Sequence, residues 1–486
     1  MAENQSIDSE LRRVGKNTAI YSIGNIGVKV VSFLLIPVYT HYLSLYDVGI
    51  IVLLELIEVL YGYVAPLGVL NSTFRFFYSA KQEGREKRFW ASNFYFVFVV
   101  NIFLLIILIL TGNTGARIIL SDASLTRLMQ IFYVTLFLGL TRIFLLNLLR
   151  IYEKPVPFIF IVFIYFLLVM SLNVWFIVGL NLGLWGVVWA KLITSSILFI
   201  FAFAYLVRHF GFRFDKSDLI RSLSYGAPMI LHGVSLLILS LSDRFLIKEI
   251  ISVESSGIYG IAYKFGMVMN MALVTPFIQA WQPMLFRLEN RPEQKQTYQK
   301  TALYFVQIGI ILWLLVSVGG KYLIKWTTTE PYHVGTILVP FIAFGYFLYG
   351  LQDILKAGAL LKNLTMRVTV LGMTAAMLNV ILNLFMIPGY GLLGAAMVTV
   401  ISYLILLLLI LNLSQRHFYV NWLWGKMIRV AALGIGIYFL SLKELSSANL
   451  SFLKDVLVVI LLPVLMIVFR LISVAEIRRF LQGFRK

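Results

Sequence analysis

Apolar residues run nearly unbroken through most of this chain. Stretches such as FVFVVNIFLLIILIL and ISYLILLLLILNL are too long for strands and lack the polar face of a helix lying on a soluble core. They predict membrane-spanning helices. A transmembrane β-barrel would instead alternate apolar and polar residues over segments of about ten. Fourteen candidate spans of roughly 20 residues emerge: 15–40, 46–74, 90–111, 125–149, 156–180, 184–207, 222–250, 258–286, 301–325, 335–357, 368–387, 392–413, 422–442 and 455–474. The expected fold class is therefore all-α, a polytopic membrane protein of about 14 transmembrane helices.

Short matches reveal a repeat. LSLYDVGII (43–51) superposes on ISVESSGIY (251–259), and LGLWGVV (182–188) on YGLLGAA (390–396), each at an offset of 208. Both lie at tight connections on the outer side, where Gly permits a sharp turn and close helix approach. The shift equals six helices, so the halves run parallel. This predicts a cytoplasmic tail (1–14), an N-terminal six-helix bundle (15–208), a linker (209–221), a C-terminal six-helix bundle (222–416), two additional helices (417–475) and a basic tail (476–486), with the two bundles around a central cavity.

Charge sets the orientation. Of 41 Lys and Arg, 27 fall in loops and tails on one side when both termini share it, and 7 fall on the other. That asymmetry predicts cytoplasmic N- and C-termini. It also accounts for most of the +19 net charge as topology and contact with anionic lipid, without nucleic-acid binding. The polar N-terminus, with three acids before its first apolar stretch, predicts no cleaved signal.

Enzyme chemistry finds little foothold. No cysteine is present, no Gly-Lys-Ser/Thr phosphate loop occurs, and the five histidines (41, 209, 232, 333, 417) form no HExxH. No loop exceeds about 15 residues, which leaves no room for a soluble catalytic domain and argues against a membrane glycosyltransferase or polymerase. No enzyme activity, cofactor or metal is expected.

The motifs PVYTHYLSLYDVGI, PLGVLNSTFRFFYSA, SDRFLIKEIISVESSGIYGIAYKF and PFIQAWQPMLF, in this order and spacing, give the chain its family likeness. Over residues 10–416 it resembles the multidrug/oligosaccharidyl-lipid/polysaccharide exporter superfamily, and within it the bacterial polysaccharide and O-antigen flippases. The resemblance implies a V-shaped pair of six-helix bundles that alternates access and moves an undecaprenyl-diphosphate-linked oligosaccharide across the inner membrane. Membrane lipids, a polysaccharide polymerase and chain-length proteins would be partners of a monomeric transporter. Lipid II flippases of the same superfamily also have fourteen helices, the last two lining a lipid groove. A lipid II substrate is therefore one alternative, and a cation-coupled multidrug antiporter another.

Intramembrane charges supply the candidate site, because a charge near mid-bilayer costs several kcal/mol unless it faces water or a partner. Arg429 and Arg470 lie near helix ends and snorkel. Lys29, Arg142, Lys191, Arg244 and Lys264 would line an electropositive cavity whose Arg and Lys replace the water around a diphosphate. Arg244 matches a basic position recurrent in the flippases it resembles. Among the acids, Glu55 and Glu58 share a helix face and would either bind a coupling Na⁺ or proton or neutralise Lys29. Asp243 and Asp353 complete the set, and Asp243 with Arg244 has the alternative of a structural ion pair. Drug-extruding members of the superfamily it resembles often keep an acid in helix 1, whereas helix 1 here offers Lys29, which argues against a cationic drug. Trp185, Trp189 and Trp281 are candidates for stacking on sugars or for the interface belt. Gly24, Gly27, Gly226 and Pro228 are candidate hinges at corresponding places in the two halves, or ordinary membrane-helix residues.

Overall fold

The computed structural model describes residues 32–289, 291–443, 445 and 447–472. Among these the structure is helical throughout. Ten helices are long and apolar enough to cross a membrane, or eleven if the bent pair Glu330–Ile337 and Val339–Leu361 forms one span. The expectation of an all-α multi-pass membrane protein holds. Three features separate fourteen spans from eleven, the first being that the helix Lys216–Ile250, over the span 222–250, is not among those long and apolar enough. The helix Thr365–His417 covers two of them, with Gly391 at φ +57° breaking the helical path between the two. Residues 15–31 of the first span lie outside the described residues. Two compact units emerge, Met1–Ile258 and Tyr259–Lys486.

The first unit contains α1 (Ile36–Tyr42), α2 (Leu45–Val64), α3 (Val69–Gln82), α4 (Glu86–Leu110), α5 (Gly112–Ile119), α6 (Thr126–Ile151), α7 (Pro155–Val174), α8 (Gly183–Phe210) and α9 (Lys216–Ile250). Local chemistry marks their ends. Ser44 and Asp47 form a capping box at the start of α2. Asp215 caps α9 by accepting from the backbone N–H groups of Ser217 and Asp218, at 2.9 and 3.3 Å. Hydrogen bonds from Ser217 hold the Asp215 carboxyl below the usual aspartate range. Helix α10 (Val253–Gly266) spans the division between the units. That division falls past residues 209–221 because α9 packs against α2, α3 and α4.

The path from α2 to α3 breaks at Ala65–Gly68, where Leu67 and Gly68 have φ of +49° and +73°. Buried Asn101 on α4 holds the break together. Its amide donates to the carbonyls of Ala65 (3.0 Å) and Val97 (2.7 Å), while its oxygen accepts from the Tyr61 hydroxyl at 2.7 Å. A membrane-buried break must satisfy its freed carbonyls internally, and Asn101 does so. Gly68 also lies in backbone contact with Gly226 of α9, where an added Cβ would meet the Gly226 carbonyl oxygen at 2.0 Å. Below this, Phe77, Trp90, Phe94, Phe144 and Phe210 form an aromatic core.

The second unit continues with α11 (Thr275–Arg287), α12 (Gln294–Thr327), α13 (Val339–Leu355), α14 (Ala357–Leu361), α15 (Thr365–His417), α16 (Trp424–Leu442) and α17 (Ala448–Val468). A π-helical turn, Asn270–Val274, precedes α11. Helix α13 packs between α12 and α15, and α16 and α17 pack on each other and on α12. Several buried polar side chains find partners within the helices. Trp313 donates to the Pro340 carbonyl at 2.9 Å, Asn379 to Ser402 at 3.1 Å, and the Tyr322 hydroxyl to Asp455 at 2.7 Å.

Candidate functional site

Four helices of the first unit bring charged and aromatic side chains to one cavity. Glu58 and Tyr61 come from α2, Thr135 and Arg142 from α6, Tyr165 from α7 and Lys191 from α8. Glu58 and Tyr61 share a face because residues three apart on a helix do. Lys191 Nζ donates to Glu58 Oε2 at 2.6 Å. Both line the cavity, the Lys191 side chain at 16% exposure and that of Glu58 at 39%. Arg142 lies over the Tyr165 ring with its guanidinium carbon 4.0 Å from the centroid. Its Nε is buried without a hydrogen-bond partner. An aromatic face holds the cation in place while leaving its N–H edges for an acceptor. The cavity measures about 30 Å³, room for water-sized groups.

The expected site residues divide by place. Arg142, Lys191 and Glu58 meet at this cavity. Glu55, one turn before Glu58, accepts from the Ser32 hydroxyl at 3.4 Å. Asp243 and Arg244 are both buried on α9, and the Asp243 carboxylate accepts the Arg244 backbone N–H at 2.8 Å. Lys264 is buried on α10, within the second unit. Asp353 is buried on α13 and pairs with Lys356 one turn on. Gly226 lies in the unbroken stretch of α9, where its backbone meets Gly68, and Pro228 lies two residues further along the same helix. Lys29, Gly24 and Gly27 fall outside the described residues. Trp281 is fully buried, whereas Trp185 and Trp189 are exposed.

Sequence reading missed several partners. Arg85 binds both oxygens of Asp218 at 2.6 Å, tying the start of α4 to the start of α9. Its hydrogen bonds to Asp218 and Glu83 raise the Arg85 pKa further. Buried Lys248 donates to the Ile118 carbonyl at 2.7 Å, where a cation suits the C-terminal end of α5. Asp455 is buried on α17. Asp218 and Lys248 lie near the span ends, where charge is ordinary, so nothing in the sequence singled them out.

The described residues form an all-helical, multi-pass membrane protein with a small charged cavity in its first unit. Residues 14–289 match the family model described as polysaccharide biosynthesis protein, and the chain belongs to that family. A lipid II flippase, MurJ, in an inward closed conformation superposes with a TM-score of 0.74 at 15% identity, covering 93% of this chain and 99% of that one. An inward-facing multidrug-resistance MATE family transporter of the MOP superfamily gives 0.61 at 13% identity, covering 81% and 97%. The MATE multidrug transporter DinF-BH gives 0.60 at 14%, covering 84% and 96%. At these identities the likeness is one of fold. No curated protein is detectably similar by sequence.

Proposed function

We propose that this protein is a flippase that moves an undecaprenyl-diphosphate-linked oligosaccharide across the bacterial inner membrane for polysaccharide synthesis, with both termini cytoplasmic. The observation that carries the reading is the meeting of Arg142, Lys191, Glu58 and Tyr165 at one intramembrane cavity, in a chain of the polysaccharide biosynthesis family. A diphosphate brings about two negative charges into a bilayer that cannot solvate them, and fixed cations with freed N–H edges replace its water. At its present size the cavity takes water and not a sugar, so the substrate requires a wider state than this one. Arg244 and Lys264 are the further cations of this reading, and Glu58 balances Lys191 while the site is empty. Transport so achieved involves no covalent step and no cofactor.

The TM-score of 0.74 to a lipid II flippase favours one second reading, in which the diphosphate carries a peptidoglycan precursor. Drug antiport has less support, because a basic cavity does not suit a cationic drug.

The test is export of a labelled diphosphate-linked glycan in cells lacking the protein, with and without its restoration. Arg142→Ala and Arg244→Ala are expected to abolish restored export at unchanged protein level. Arg244→Lys is expected to recover part of it, since charge survives but two-point binding does not. Restored export of lipid II in place of the glycan would select the second reading. Full export by both Ala variants would overturn the cationic site.

A further inference from the structure

Two arginines near the polar end of the first unit, away from the cavity, stand on aromatic rings and pair with no carboxylate among the described residues. Arg75 on α3 lies 5.8 Å from the Phe76 ring centroid and 5.0 Å from that of Tyr225 on α9. Arg221, one turn before Tyr225, lies 5.4 Å from the same Phe76 ring. Phe76 and Tyr225 themselves meet edge to face at 5.6 Å. Both arginines are exposed. The two guanidiniums thus share one small aromatic platform built from two helices.

The acids nearest them in sequence are already taken. Asp218, three residues before Arg221 on α9, is the natural partner at that spacing. Arg85 takes both of its oxygens at 2.6 Å. Asp215 faces Arg88 at 3.8 Å. The neighbouring acids are therefore committed, and Arg75 and Arg221 keep their charge for something else. The backbone contact of Gly68 with Gly226 fixes α3 against α9 within two turns of the pair, so the spacing of the two cations is built into the fold.

Depth indicates the ligand. Phe74 and Tyr78 flank Arg75 on α3 and are 44% and 55% exposed, as aromatic residues are at the membrane interface. The anions at that depth are phosphates of lipid headgroups. A guanidinium resting on a ring presents its N–H edge outward, the geometry that grips two phosphate oxygens at once.

We propose that Arg75 and Arg221 form a phosphate-binding site at the membrane surface, distinct from the interior cavity, which takes a headgroup phosphate or diphosphate. The occupant is either an anionic phospholipid or the diphosphate of a lipid-linked glycan, and both offer the same chemistry. The site stands apart from the flippase reading, because it is tested by binding whereas that reading is tested by transport.

The full chain, reconstituted in phosphatidylcholine nanodiscs, would be titrated with inorganic diphosphate. The same chain in nanodiscs containing phosphatidylglycerol would be examined for retained lipid by native mass spectrometry. The double variant Arg75→Gln/Arg221→Gln is expected to bind diphosphate at least tenfold more weakly and to retain less phosphatidylglycerol than the wild type. Arg127→Gln, an exposed cation at the start of α6 that belongs to neither site, is expected to leave both measurements unchanged. The Lys/Lys double variant, which keeps the charges and guards against a folding defect, is expected to fall between. Diphosphate binding that disappears when phosphatidylglycerol is added assigns the site to a phospholipid, and binding that persists assigns it to a diphosphate. A double Gln variant that behaves as the wild type with both probes, or a wild type that binds neither, overturns the proposal.

Discussion

A methyl group on Gly257 would fall 2.8 Å from the backbone nitrogen of Gly49, the residue that precedes it by one repeat of 208. The two glycines aligned by the repeat therefore touch each other, and α2 and α10 approach to backbone contact through them. At Gly49 an added Cβ would meet the Val253 carbonyl oxygen at 2.1 Å. Gly49→Ala and Gly257→Ala should each lower stability by about 1–3 kcal/mol through overpacking. Gly436→Ala, with nothing within 4 Å, should be neutral or slightly stabilising. Thermal unfolding in one detergent gives the comparison, and equal melting of all three variants would refute the contact.

The Glu58–Lys191 pair is partly buried, so losing one partner leaves an uncompensated charge facing the cavity. Glu58→Gln and Lys191→Gln should each cost roughly 1–3 kcal/mol, below the range for a fully buried pair because Glu58 is 39% exposed. Removing both should cost less than the two single effects together. A double-mutant cycle on unfolding midpoints measures that coupling, and strict additivity would show the groups to be independent.

Asn101→Leu deprives the Ala65 carbonyl and the Tyr61 hydroxyl of their partner where no water replaces it. The expected loss is about 1–3 kcal/mol for groups left unsatisfied. Tyr61→Phe should cost less, since it removes the donor itself along with the bond. Hydrogen exchange at residues 65–69 should rise in Asn101→Leu and stay low in Tyr61→Phe.

Acid should loosen the start of α9. The folded Asp215 carboxyl titrates below its usual range because Ser217 donates to it, so its stabilisation is present above the ordinary aspartate range. That stabilisation is lost as pH falls through the depressed folded value. Ser217→Ala removes the largest cause of the shift, so the variant should be less stable near neutrality and the gap should close in acid. Unfolding midpoints of both proteins between pH 7 and 3 are the measurement, and a gap that widens in acid would contradict the assignment.

If a diphosphate moves outward from an inside-negative compartment, each charge gains about 2.3 kcal/mol per 100 mV. Transport in vesicles clamped at a fixed potential should then proceed without a Na⁺ or proton gradient. Glu55→Gln with Glu58→Gln should leave any gradient dependence unchanged if the acids only balance Lys29 and Lys191. An absolute requirement for one of those gradients would instead give the two acids a coupling role.

Hydrophobicity by itself determined the class of this protein. Runs of apolar residues longer than any soluble core requires can be satisfied only by helices in lipid, and the described residues are such helices. The repeat was equally legible. Gly183 and Gly391, matched at an offset of 208, both adopt a left-handed backbone, at φ of +56° and +57°. Their partners Gly186 and Gly394 both sit where a Cβ would press on neighbouring atoms, at 3.1 and 2.3 Å. A turn and a close approach leave their mark on sequence because only glycine meets both demands. The depth of Arg142, Lys191 and Glu58 was legible too, since each interrupts an apolar run.

What the sequence left open was pairing. Depth says that a charge needs a partner, but which helix supplies it depends on how segments far apart in sequence pack. Only the tertiary structure joined Lys191 to Glu58 across 133 positions and laid Arg142 on Tyr165. Only it gave Asp218 to Arg85 and so left Arg221 to stand with Arg75 on Phe76. The break at Ala65–Gly68 also awaited the fold, because the side chain that satisfies it belongs to Asn101, one helix further along the chain. Such partners are chosen by distance in space, and a linear pattern of polarity records only that each residue has to be matched.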